Sequence, residues 1–213
     1  MLKLAIAIAV SLCAARASAV TFLTATLTNA AENPGTHPTT DAGAPRASSG
    51  SASFVINDAM TSMTFTATVF GIDVTGTQTA ELADNIAAAH IHAGPAVTPT
   101  TNGPVVWGFF GGPFNDNNPN DAVVTPFASG VGGTFSGKWD APEGNNTTFA
   151  AQLDNILSGR AYINFHTVQF GGGEIRGNIL VSAVPEPETY ALLLGGLAAV
   201  GAVRRRRGAI GAR

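Results

Sequence analysis

The chain has little that would give it covalent or thiolate chemistry. Its 213 residues include one cysteine, Cys13, which lies in an apolar N-terminal segment and follows Leu12. A bacterial lipoprotein site needs a small residue before the cysteine, so lipidation is not expected. Without that segment the mature chain has no disulfide and no thiolate ligand, and its core must stabilise it unaided.

Positive charge is also scarce in the body of the chain. Residues 20–183 carry twelve acidic side chains against four basic ones, which are Arg46, Lys138, Arg160 and Arg176. The body is therefore near −8, whereas the whole chain is at −3 because most of its basic residues lie near the two ends. An acidic body with scattered cations has no electrostatic footprint for nucleic acid. Its 164 residues are enough for one domain.

Sequence signatures of common enzymes are missing as well. The chain has no G-x-S-x-G elbow, no phosphate-binding loop and no paired carboxylates in an apolar context. These absences argue against a hydrolase or a nucleotide-dependent enzyme. No catalytic residue is predicted, and a protein without enzymatic activity is favoured.

The N-terminus has the features of an export signal. Lys3 supplies positive charge, the run from Leu4 to Leu12 is apolar except for Ser11, and Ala17-Ser18-Ala19 has the small-x-small form of a cleavage site. We therefore expect residues 1–19 to be a signal peptide that is removed after Ala19, with Ala17 and Ala19 as the residues recognised for cleavage.

The last thirty residues combine a proline motif, an apolar stretch and an arginine cluster. These are Val184-Pro185-Glu186-Pro187, the stretch from Tyr190 to Val203, and Arg204-Arg205-Arg206-Arg207. An apolar segment followed by fixed positive charge tends to stop in a bilayer with the arginines on the cytoplasmic side. The fourteen residues of the stretch are nevertheless short, because a stable transmembrane helix needs roughly 20.

Together these blocks resemble the PEP-CTERM sorting signal of Gram-negative bacteria that make exopolysaccharide. The resemblance implies processing near the proline motif by an exosortase-type transpeptidase in the inner membrane, and delivery to the cell surface. The signal would consist of Pro185, Glu186, Pro187, Arg204, Arg205, Arg206 and Arg207 within a tail of residues 184–213. A plain C-terminal transmembrane anchor is the alternative, and sorting with only transient anchoring is favoured.

The body reads as strands separated by loops. Residues 23–28, 51–56 and 63–69 alternate apolar side chains with threonine or serine, which is typical of half-buried antiparallel strands. Further strands are predicted at 88–92, 105–109, 134–139, 160–167 and 174–182, and one helix at 149–157 that ends at Gly159. The predicted fold of residues 20–183 is all-β: an antiparallel β-sandwich or flattened Greek-key barrel.

Three of the four histidines lie on predicted strands. His90 and His92 share one face of a strand, with Cα atoms about 7 Å apart, and that spacing can chelate one metal ion. His166 shares a face with Tyr162 and Asn164 on a later strand. If the intervening isoleucines and phenylalanine face the core, all three histidines point away from it. Whether they converge depends on strand order, and a histidine on a strand is more often a hydrogen-bonding residue than a ligand. His37, in a loop rich in proline and threonine, is expected to be solvated.

Several motifs in this body resemble the CHRD domain. They are Ala25-Thr26-Leu27 with Glu32, His90-Ile91-His92-Ala93-Gly94, Gly103-Pro104-Val105-Val106, residues 153–159, residues 160–167 and Gly173-Glu174-Ile175-Arg176-Gly177. The resemblance covers nearly all of residues 20–183. It implies an extracellular β-sandwich without an established enzymatic activity.

A weaker resemblance is to copper/zinc superoxide dismutases. His90, His92, Gly159-Arg160, His166 and Arg176 occur in the order that surrounds copper in that family. No histidine lies between His92 and His166, so the bridging imidazole and the zinc-site histidines have no counterpart. The resemblance implies a three-histidine copper or zinc site with Arg176 guiding anions, while Arg176 and Glu174 could equally be structural residues of the last hairpin.

The sequence thus supports two leading hypotheses. The first is a surface-sorted, non-enzymatic module that associates with exopolysaccharide, matrix or neighbouring surface proteins and needs no cofactor. The second is a metal-binding redox protein that uses copper or zinc at His90, His92 and His166. A carbohydrate-binding module would need exposed aromatic side chains, for which Trp107 and Trp139 are the candidates, although core packing is the more common role for tryptophan.

Overall fold

The computed structural model describes residues 20–182. Ten β-strands, one 3-10 helix and one α-helix make up this region. The strands are β1 (Thr21–Thr28), β2 (Ser49–Ile56), β3 (Met63–Phe70), β4 (Ile86–Ala93), β5 (Val105–Phe110), β6 (Val123–Pro126), β7 (Gly132–Trp139), β8 (Ala161–Thr167), β9 (Ile175–Asn178) and β10 (Leu180–Val181); the 3-10 helix is Asn29–Ala31 and α1 is Phe149–Leu157.

All named strands belong to one antiparallel sheet. Its order is β5-β4-β8-β9-β1-β2-β3-β7-β6, with β10 paired to β1 beyond the end of β9. Three connections carry the chain from one part of the sheet to another: from β3 to β4, from β5 to β6, and from β7 through α1 to β8. As a result β8 and β9 lie between β4 and β1. The predicted all-β class is confirmed.

The sheet curls so that its two ends face each other across the core. Phe109 on β5 packs on Phe65 of β3 with ring centroids 4.6 Å apart, and the Trp107 and Trp139 rings stack at 5.8 Å. All four rings are almost fully buried. This closure makes the sheet a flattened sandwich around one apolar core, as the alternation in the sequence predicted.

The first three strands show directly how alternation produces this arrangement. Leu23, Phe54 and Phe65 occupy one cross-strand row and are buried. The neighbouring row of Thr24, Ser53 and Thr66 is exposed. Successive side chains of a strand point to opposite faces. With threonine or serine at every second position, the apolar side chains in between all face the core.

Helix α1 has the predicted bounds and packs against the sandwich through Phe149 and Ile156, which are buried. Thr148 caps its N-terminus, where the side-chain oxygen accepts from Ala151 N at 3.3 Å. Gly159 follows the helix with a φ of 72°, a left-handed conformation that glycine adopts without strain.

Two details of the strand prediction were wrong. Strand β6 was not expected, because Val123–Pro126 shows no alternation; it is an exposed edge strand that pairs only with β7. Residues 174–182 form two short strands rather than one, separated at Ile179, whose N–H bonds the Ala161 carbonyl at 2.9 Å.

No helix among residues 20–182 is long and apolar enough to cross a membrane. The predicted signal peptide with Ala17 and Ala19, the proline motif, the apolar stretch from Tyr190 to Val203 and the arginine cluster lie outside the described residues.

Candidate metal centre

Strands β4 and β8 bring the three strand histidines together. Their register pairs His90 with Asn164 and His92 with Tyr162, which places His166 one pair further along on the same face. The His90 and His166 ring centroids are 4.8 Å apart, and those of His92 and His166 are 6.0 Å apart. Strand order, which the sequence left open, therefore makes the histidines converge.

The three rings point away from the apolar core but are not on the surface. Ile91, Ile163 and Phe165 fill the core side of β4 and β8, as expected. The exposed fractions of His90 and His166 are nevertheless only 4% and 7%. An outward-facing side chain was expected to be accessible, and the loops that cover this face make it buried instead.

Each imidazole is held by a backbone carbonyl from a different covering loop. The contacts are His90 Nε2 to Gly112 O at 3.0 Å, His92 Nδ1 to Gly103 O at 2.9 Å, and His166 Nδ1 to Gly171 O at 3.0 Å. A carbonyl oxygen can only accept a hydrogen bond, so the nitrogen that faces it carries the proton. In a neutral ring the other nitrogen then presents a lone pair.

Burial keeps these rings neutral. It lowers the pKa of His90 to about 4, assisted by the nearby His166. Burial also lowers the pKa of His92 to about 4, against the Gly103 carbonyl, and lowers the pKa of His166. At neutral pH the three histidines therefore present three nitrogen lone pairs to one another, on His90 Nδ1, His92 Nε2 and His166 Nε2.

These lone pairs face one another without protons to share. His90 Nδ1 and His166 Nε2 are 3.0 Å apart, although both rings already use their proton on a carbonyl. Among the described residues, no partner reaches the buried Nε2 of His92. Opposed lone pairs and an orphaned buried acceptor are costly unless a cation joins them.

The nitrogen positions would fit a metal ion once the widest pair closes. The three ligand atoms lie within 4.8 Å of one another. A tetrahedral ion with bonds of about 2.0–2.1 Å to nitrogen would hold them roughly 3.3 Å apart, so the widest pair must move inward. The carbonyl contacts on the outer nitrogens are the kind that orient imidazole ligands in metalloproteins.

A stack of three side chains supports one edge of the cluster. The Tyr162 ring lies parallel to His92 at 4.6 Å, and the Arg176 guanidinium carbon lies 3.6 Å from the centre of the Tyr162 ring. Arg176 is fully buried and donates to Asn102 Oδ1 and to the carbonyls of Thr98 and Thr101. Its side-chain donors hold the loop that contains Thr98 and Asn102 rather than the last hairpin. The anion-guiding role of Arg176 stays a prediction.

Glu32, one of the residues that carry the CHRD resemblance, also lies in this region, although no chemical role was predicted for it. Glu32 is 8% exposed, and burial raises the pKa of its carboxyl group to about 7 despite the opposing charge of Arg176. Gly173, with a φ of 123°, lies against it, and an added Cβ there would collide with Glu32 Oε1 and the Asn164 amide. The run of glycines before Glu174 was the only clue that the chain passes so close to buried polar groups.

The covering turn at Gly171 is fixed by a buried ion pair. Glu174 is fully buried and accepts from both terminal nitrogens of Arg46 at 2.5 Å. The hydroxyls of Ser48 and Thr167 donate to the same carboxylate at 2.6 Å. This network ties the loop before β2 to the turn that orients His166, and neither Arg46 nor Ser48 was predicted to be near it.

The other sequence candidates are not part of the site. Trp107 and Trp139 are completely buried, and their indole N–H groups bond Glu143, so they cannot serve as a sugar-stacking platform. His37 is exposed, as expected.

Comparison with protein families identifies both parts of the chain. A model of the CHRD domain matches residues 23–179, and a model of the PEP-CTERM protein-sorting motif matches residues 183–207. Both predicted resemblances are thereby confirmed. The motif is a sorting signal recognised by exosortase, so the protein is a bacterial one that is exported and sorted to the surface. Comparison with curated proteins and with solved structures found no match.

Proposed function

We propose that this chain, which belongs to the CHRD domain family, binds a copper or zinc ion through His90, His92 and His166. The observation that supports this function is that three ring nitrogens with lone pairs converge on one another. Each ring donates its N–H to a backbone carbonyl, and the other ring nitrogens lie within 4.8 Å of one another. A purely structural cluster would be expected to share protons between its rings.

A bound ion would supply Lewis acidity or, if it is copper, one-electron redox chemistry. The protein residues keep the imidazoles neutral, fix their tautomers and exclude water. The weak resemblance to superoxide dismutases does not extend to that family's second metal, because the chain has no histidine between His92 and His166. The proposal is therefore a mononuclear metal site, without an assigned reaction.

A metal titration of the exported protein, purified from its native cells and stripped with a chelator, tests this function. We expect one copper or zinc ion per chain. We also expect an upward shift of the unfolding temperature, since an ion that binds only the folded state stabilises it by about 2.7 kcal/mol at 100 times its Kd.

The matched variants are His166→Ala and His37→Ala. The first removes a ligand and should weaken binding at least about 10- to 100-fold, since loss of a ligand costs no less than loss of the residues that orient ligands. The second removes an exposed histidine and should bind as the unchanged protein does. Equal affinity in His166→Ala would end the proposal.

A second candidate function is a surface module for exopolysaccharide or matrix. The observation that favours it is a regular hydroxyl surface on β1, β2 and β3. Its two cross-strand rows are Thr24, Ser53 and Thr66, and Thr26, Ser51 and Thr68. Hydroxyls presented on a sheet can bond sugar hydroxyls. This candidate is tested by measuring how much protein sediments together with purified exopolysaccharide, for the unchanged protein and for the variants Thr24→Val and Thr66→Val. Equal co-sedimentation of the three proteins would count against it.

The assignment of the chain ends is also a proposal. We propose a signal peptide at 1–19, a mature domain at 20–183 and a sorting tail at 184–213 that anchors transiently in the inner membrane of a Gram-negative cell. Mass spectrometry of the surface protein should show a C-terminus near Pro185. A surface form that keeps Arg204 to Arg207 would contradict processing.

A further inference from the structure

The metal ligands of the proposed centre carry no charge. Among the residues that the structure describes, His90, His92 and His166 are the only group of histidine, cysteine or carboxylate side chains that converges in this way. Their outer nitrogens bond backbone carbonyls rather than carboxylates. An ion in this site would therefore keep its full formal charge.

The nearest fixed charge behind the ligands is positive. Arg176 lies on the far face of Tyr162, which stacks on His92. Glu32 lies near Arg176, but its raised pKa of about 7 leaves it partly protonated at neutral pH. The carboxylate of Glu174 is already paired with Arg46. The surroundings therefore give a cation little electrostatic compensation.

Burial makes this lack of compensation decisive. The three rings are 4–8% exposed, and the cost of moving an ion from water into a low-dielectric interior grows with the square of its charge. A divalent ion thus pays about four times the desolvation cost of a monovalent ion of similar size. Zinc and cupric sites normally offset this cost with anionic ligands or a bound hydroxide.

On this basis we propose that the three-histidine centre selects Cu(I) over Zn(II) and Cu(II). The inference rests on the proposed metal-binding function and names the ion. Cu(I) carries a single charge and is satisfied by three nitrogen ligands, which is the number the described residues provide. Zn(II) in a structural site takes four ligands, and a three-histidine catalytic zinc site completes its shell with a water or substrate. The three rings here are 4–8% exposed, which restricts access for such a fourth ligand. Among divalent ions the ordinary order of affinity favours Cu(II) over Zn(II), so this selection depends on the charge of the surroundings.

Competition measurements on the exported protein test the proposal. Cu(I) is supplied anaerobically with a chromogenic cuprous chelator as competitor, and Zn(II) and Cu(II) are titrated separately with their own competing chelators. We expect Cu(I) to bind at least about 100-fold more tightly than Zn(II). Zinc binding equal to or tighter than Cu(I) binding overturns the selection but keeps the metal site. Absence of binding by every ion removes the metal site itself.

A charge-altering variant tests the physical cause. Asn164→Asp is nearly isosteric and places a carboxylate beside His90, its cross-strand partner. We expect the ratio of Cu(I) to Zn(II) affinity to fall at least about 10-fold in this variant, and to stay unchanged in Thr64→Ala on the exposed face of β3. An unchanged ratio in a folded Asn164→Asp protein contradicts the charge argument.

A measurement on the unaltered protein keeps the proposal testable if Asn164→Asp does not fold. X-ray absorption of the copper-loaded protein should show Cu(I) with nitrogen ligands even after exposure to air. Rapid and complete conversion to Cu(II) would overturn the selection, because a centre that disfavours the second charge must hold copper in the reduced state.

Discussion

Two regions of the same sheet share the same alternation of side chains, but their outer faces differ in exposure to solvent. In β1 and β3 every second side chain is buried in the core and the others face solvent. In β8 all seven residues are buried, although Tyr162, Asn164 and His166 point away from the core. Alternation therefore decides which face a residue takes, but not whether that face meets water.

The loops account for the difference. Three glycine carbonyls from separate loops, at residues 103, 112 and 171, cover β4 and β8 and bond the histidines. Within residues 20–182 no loop covers the threonine rows of β1 and β3 in this way. The region with two buried faces holds the polar cluster, and the region with one exposed face presents rows of hydroxyls together with the exposed rings of Phe22 and Phe70.

The largest effect is expected on the core side of β8. Phe165 is fully buried and packs on Phe109 and Phe135. Phe165→Ala should lower the free energy of unfolding by about 3–5 kcal/mol, because it removes a large ring and leaves a cavity. Denaturant unfolding measures this loss. A loss below about 1 kcal/mol would mean that the core is not packed as described.

The next largest effect is expected at the ion pair of Arg46 and Glu174, which fixes the turn that covers His166. Glu174→Gln leaves Arg46, whose side chain is only 11% exposed, without its counter-ion. Breaking one side of a buried pair should cost about 3 kcal/mol. Metal affinity should fall too, because the turn that holds Gly171 against His166 loses its anchor.

The double variant Arg46→Met, Glu174→Leu serves as the control for that experiment. Replacing both charges by apolar side chains should recover much of the stability. A double variant as unstable as the sum of the single variants Arg46→Met and Glu174→Leu would show that the charges do not interact.

A smaller effect, which depends on pH, is expected from Glu32. Its pKa is about 7 in the fold against an ordinary 4.5, so its contribution to stability is present below pH 4.5 and is lost as the pH rises through 7. His90 and His92, with pKa values of about 4, act in the opposite direction and lose stability as the pH falls below 6.5.

Glu32→Gln removes only the first trend. Between pH 4.5 and 7 the metal-free variant should gain roughly 1–3 kcal/mol of unfolding free energy relative to the unchanged protein. Parallel stability curves for the two proteins over this range would show that Glu32 titrates normally.

The smallest effect is expected on the exposed face. Thr66→Ala changes an exposed side chain in the middle of β3 and should alter the unfolding free energy by less than about 0.5 kcal/mol, apart from the weaker β-propensity of alanine. A loss as large as that of Glu174→Gln would mean that the threonine face is covered, and the contrast between the two regions would disappear.

Much of the fold was predictable because it depends on local pattern. Leu23, Phe65 and Ile163 are buried where their period of two placed them, and α1 has its predicted bounds and ends before Gly159. Strand β6 was missed because an exposed edge strand needs no apolar face. The facing of His90, His92 and His166 was predictable from the same period, but their meeting was not.

The sequence by itself determined the all-β class, the destination of the protein and the identity of the three candidate ligands, because each of these is encoded in short runs of neighbouring residues. The tertiary structure alone decided that β4 pairs with β8, that loops bury the outer face, and that Arg46 reaches Glu174 across 128 positions of chain. These contacts join distant segments through packing and desolvation, and no local pattern of residues records which segments will meet.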